Sequence, residues 1–64
     1  MFIIIEFIFG IFEGIYACSF YDDVAQLISS NNINEYSLYQ FINGKLILLR
    51  SVNENGYVIR VEDV

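Results

Sequence analysis

Few side chains in this chain could do chemistry, and their spacing suits it poorly. There is no histidine among the 64 residues. Ser-His and Cys-His nucleophile–base pairs and histidine metal sites are therefore excluded. Cys18 is the single cysteine, so no internal disulfide can form and a structural zinc site lacks ligands. Cys18 has two readings, a reactive thiol just ahead of a helix or a small apolar filler at the end of a strand. A reactive thiol needs a base or cation to lower its pKa. The nearest cation in sequence is the distant Lys45, which favours the filler. Asp22 and Asp23 are adjacent, so on a helix they point about 100° apart and do not converge. They read as partners of the helix dipole. Glu62-Asp63 reads as a solvated strand end. Glu6 interrupts an apolar strand and is expected to pair with Arg50 or Arg60, or to mark the wet side of the sheet. Neither a phosphate loop nor a dinucleotide fingerprint is present. The expectation is a protein that is not an enzyme and uses no cofactor.

Composition bounds the elements that carry these residues. A domain of this size buries only about 60% of the surface its unfolded chain exposes. Hydrophobic residues make up 56% of the chain, with six Phe and five Tyr. Some of that apolar area must lie outside, where it marks an interaction site. Eight Asp and Glu stand against three Lys and Arg, a net charge of −5. Nucleic-acid phosphates demand the opposite sign, so the expected partner is a protein with a basic surface.

Residues 1–20 are apolar and about as long as a spanning helix. A small membrane-associated peptide is therefore one alternative. Glu6, Glu13, Gly10 and Gly14 interrupt the run, and no Lys or Arg flanks it before Lys45. Phe, Ile and Tyr are strand formers, and a β-hairpin is expected instead. The lone cysteine and the missing positive n-region point to the cytoplasm.

Phe2–Phe9 reads as the first strand. Gly10 through Gly14 is turn material, with the bend expected at Glu13-Gly14 and the second strand at Ile15–Cys18. Ser19 is an expected N-cap, with Asp22 completing an S-x-x-D box. Phe20, Val24, Leu27 and Ile28 fall on one helical face. The helix is expected to end in Ser29-Ser30-Asn31-Asn32, because Asn tolerates the left-handed conformation. Three strands follow, over Tyr36–Ile42, Lys45–Val52 and Tyr57–Val64. Turns at Asn43-Gly44 and Asn55-Gly56 separate them, Asn-Gly being the strongest short hairpin signal. The fold class is α+β, in the order β-β-α-β-β-β, with about five antiparallel strands and one helix on one face.

Turn parity assigns two faces to the meander. One carries Tyr39, Phe41, Leu46, Leu48, Val52, Tyr57, Ile59 and Val61, with Ser37 and Arg50, and is expected to pack on the helix. The other carries Tyr36, Leu38, Ile42, Ile47 and Leu49. One helix cannot cover both, so the second face is expected to bind a partner. Tyr36, Leu38, Ile47 and Leu49 are its anchors, with Glu35, Glu54 and Glu62 as an acidic rim.

The stand-alone length, the acidity and the order hairpin–helix–meander in GIYACSFYDDVAQLI and EYSLYQFINGKLILL resemble small phage- or mobile-element-encoded inhibitors. These include anti-CRISPR proteins and acidic inhibitors of DNA-acting enzymes. The Ile, Asn, Phe and Tyr usage is similar to that of an AT-rich genome. The resemblance implies inhibition of a nucleic-acid-handling host-defence protein, such as a CRISPR effector, by occlusion of a basic groove. The alternative is a structural homo-oligomer, a dimer for instance, with no inhibitory role.

Overall fold

The computed structural model describes residues 1–56 and 58–60, the last two of these by backbone alone. The elements are β1 (Phe2–Ile8), β2 (Ile11–Cys18), a 3-10 turn (Tyr21–Asp23), α1 (Val24–Ser30), β3 (Glu35–Ile42), β4 (Lys45–Val52) and β5 (Val58–Arg60). The strands form one antiparallel sheet in the order β2-β1-β3-β4-β5, four of seven or eight residues and a three-residue fifth. The fold is α+β. Residues 1–20 make a hairpin, and no helix of the described residues is long and apolar enough to cross a membrane. Tyr57 and residues 61–64, which belong to the expected last strand and include the rim acid Glu62, lie outside the described residues.

The first hairpin turns earlier than its composition suggests. Ile8 pairs with Ile11 across the two-residue turn Phe9-Gly10. Both turn residues have positive φ, 50° and 78°, the pattern of a type I′ turn. Glu13-Gly14, the expected bend, is a bulge within β2. Glu6 pairs with Gly14 and Phe7 with Phe12, leaving Glu13 as the extra residue.

Ser19 does not cap the helical segment. The 3-10 turn begins after Phe20, and neither it nor α1 has a side-chain cap. Phe20 consequently lies before the helix, exposed, while Val24 is fully buried and Leu27 and Ile28 pack beside it. The helix stops as expected. Asn32 adopts φ 53°. Its N–H donates to the Ser29 carbonyl at 3.2 Å, and the Ile33 N–H donates to the Ile28 carbonyl at 3.0 Å. These are the two bonds of a Schellman motif. Ile33 then enters the core.

The core is the layer between α1 and one face of the sheet. Ile4 of β1 faces Tyr16 of β2 and Leu38 of β3. Ile4 and Leu38 are wholly buried, with Val24, Ile33 and Tyr36 closing the cluster. The helix therefore covers the face that carries Tyr36 and Leu38, not the face that carries Tyr39 and Phe41. Tyr36 and Leu38 are core residues, not partner anchors. The Tyr36 hydroxyl accepts a hydrogen bond from Arg50 Nε at 3.0 Å, and Arg50 Nη1 reaches the Tyr21 hydroxyl at 3.0 Å.

A second bulge splits the expected faces of the meander. The Asn43-Gly44 turn sets Ile42 against Lys45, Phe41 against Leu46 and Tyr39 against Leu48, as the turn chemistry predicts. Beyond it, Leu38 pairs with Arg50 and Tyr36 with Val52, so Leu49 is the extra residue. Leu46 and Leu48 lie on the uncovered face, whereas Arg50 and Val52 lie on the helix side. The next loop reverses parity again, because Val52 pairs with Val58, one residue beyond Tyr57.

Candidate functional site

Two surfaces remain after the core is closed. The first is the open face of the sheet, formed by Ile3, Ile5 and Phe7 of β1 and their neighbours. In register with them are Phe12, Ile15 and Ala17 of β2 and Glu35, Ser37 and Tyr39 of β3. Phe41, Leu46 and Leu48 extend it towards the β3–β4 turn. Ser37 and Ser51 in its middle share a hydrogen bond, Oγ to Oγ at 2.7 Å. Of the expected anchors, Ile47 is exposed on the opposite side and Leu49 is half-buried against the core.

The second surface is the end of the molecule at the β1–β2 turn. There Glu6, Glu35 and Glu54 line one cavity of about 480 Å³, with Phe7, Ile8 and Phe9 as its apolar wall. The remaining lining residues are two asparagines and a glycine, so no cation borders the cavity among the described residues. Two of the three expected rim acids, Glu35 and Glu54, thus meet at one place. Glu35 also has a structural task, since its Oε1 accepts the Gly10 N–H at 3.0 Å and ties the hairpin tip to β3.

Glu6 is the third carboxylate and is only 8% exposed. It neither marks the wet side of the sheet nor pairs with Arg50, which is engaged by two tyrosines; the Arg60 side chain, the other expected partner, lies outside the described residues. Its Oε1 accepts the Tyr16 hydroxyl at 3.0 Å. That bond holds the Tyr16 phenol above its usual pKa, and burial and the negative charges of Glu6 and Glu13 act in the same direction. Cys18 is half-buried beside the core, with Sγ 3.5 Å from the Phe20 carbonyl oxygen. That placement agrees with the filler reading.

Phe9 is the residue that sequence reading missed. It sits at the tip of the hairpin, 80% exposed, with φ 50°. A bulky residue with positive φ is a genuine outlier. The same chain solves the same problem more cheaply at Asn43-Gly44, where φ is 52° and 74°. The signal lay in Phe9-Gly10 itself, a Gly at the second position of a two-residue turn. It was hidden because Phe reads as a strand former. No protein-family model matches the chain, and neither a curated protein nor a solved structure is similar to it.

Proposed function

We propose that this chain is a non-catalytic protein-binding module that occludes a basic surface of a nucleic-acid-handling protein, acting in the cytoplasm. The observation that carries the reading is Phe9, an exposed aromatic held in a left-handed turn position beside a carboxylate-lined cavity. Phe9 is exposed, and the Asn43-Gly44 turn at the opposite end of the sheet shows that Asn would serve the backbone. An exposed aromatic anchor flanked by acids suits a partner pocket with an apolar floor and a basic rim. The net charge of −5 favours the same class of partner and speeds encounter with it. Inhibition follows if that basic rim is where the partner holds phosphates.

Immobilised chain should capture a basic protein from the heparin-binding fraction of a host lysate, and duplex DNA should compete for it. Phe9→Asn and Glu54→Lys should each abolish capture while the circular dichroism spectrum is kept. Capture that survives both substitutions, or that DNA does not disturb, would show that this end of the molecule is not the docking site.

A further inference from the structure

We infer that the open face of the sheet is the interface of a symmetric dimer of this chain, two sheets packed face to face with a helix outside each. The inference goes beyond the proposed partner binding, because Phe9 and Glu54 stay outside that interface.

Charge placement is the first argument. Two copies that each carry −5 repel unless the approaching surfaces are neutral. Asp22 and Asp23 belong to the helical layer. Glu6 points beneath that layer, and Glu54 lies in the loop after β4. Glu13 sits on the outer strand; Glu35, opposite Phe7, is on the open side but at the start of its strand, where its Oε1 is tied to the Gly10 N–H at the hairpin tip. No charged side chain of a described residue stands in the middle of the open face. The centre of such a face meets its copy without charge repulsion.

Area is the second argument. The molecule measures 31 × 25 × 19 Å. Five strands about 4.8 Å apart, four of them seven or eight residues long at about 3.4 Å each, give the sheet a face of roughly 600 Å², the lower end of the per-partner size of a standard stable interface. Stacked sheets pack about 10 Å apart with aligned strands. That geometry would bring Ile5 and Leu48 against their counterparts. The Ser37–Ser51 hydroxyls already satisfy one another, so burying them strands no polar group.

Light scattering and sedimentation of the full chain, from micromolar to millimolar, test the inference. A dimer mass is expected. Ile15→Lys and Leu46→Lys replace side chains that are 62% and 54% exposed, and each should weaken the dimer by about tenfold or more. Phe20→Lys, at an exposed position off the sheet, should leave it unchanged. Wild-type chain needs no substitution for the decisive measurement, an isotope-filtered NOE experiment on mixed labelled and unlabelled protein. Intermolecular signals among the Ile5 and Leu48 methyls support the face-to-face dimer. A monomer at millimolar concentration overturns it. So does a dimer without those signals, which would instead be joined through the edge of β2.

Discussion

At Phe9 the backbone and the side chain want different residues. Left-handed φ costs an L-residue with a Cβ roughly 1–2 kcal/mol, and Asn relieves part of it. Phe9→Asn should therefore raise stability by about 1 kcal/mol, a melting shift of about 4–8 °C for a domain of this size, while removing the proposed anchor. A variant that is both more stable and inactive in capture is the expected signature of a site kept for function. Tyr16 illustrates the converse case, in which a side chain is needed by the fold. Tyr16→Phe leaves the buried Glu6 carboxylate without its hydroxyl donor and should lower the midpoint of urea unfolding at neutral pH. Its pKa is raised in the folded chain, so the fold favours the neutral phenol. That contribution is complete below the unfolded value of about 10 and is lost as pH climbs through the raised value. The wild type should lose stability in strong alkali, and Tyr16→Phe should flatten that limb.

Among the elements, those closed by strong local chemistry were legible from sequence. Asn43-Gly44 set the β3–β4 register, and Asn32 stopped the helix in the left-handed conformation. Asn32→Ala should destabilise the chain by about 1 kcal/mol, and Asn32→Gly should not, as read by thermal unfolding. The face assignment failed for a different reason. Parity arguments assume that every residue in a strand has one partner, and Leu49 and Glu13 do not. One extra residue turns all later side chains over, so Leu46 and Leu48 parted from Arg50 and Val52. Nothing in the string Leu-Ile-Leu-Leu-Arg marks which leucine is unpaired. The mismatch between two apolar faces and one helix was visible, but not which face the helix would choose. Spacing predicts Phe20 within the helix, yet a 3-10 turn precedes the first full α turn.

For the whole molecule, the two proposed associations answer oppositely to salt. Screening weakens attraction between an acidic chain and a basic partner, and relieves repulsion between two acidic chains. Raising ionic strength should tighten self-association in sedimentation while loosening partner capture in the same buffers. The topology has a further consequence, for the order of assembly. β1–β2 and β3–β4 are both local hairpins, and the sheet joins them along the β1–β3 seam, sealed by Ile4 against Leu38. Hairpins of this size close in about 1–10 μs, so bringing the two halves together is the slow step. A hinge around residues 31–34 that opens before the seam zips lets the halves of different molecules trade places.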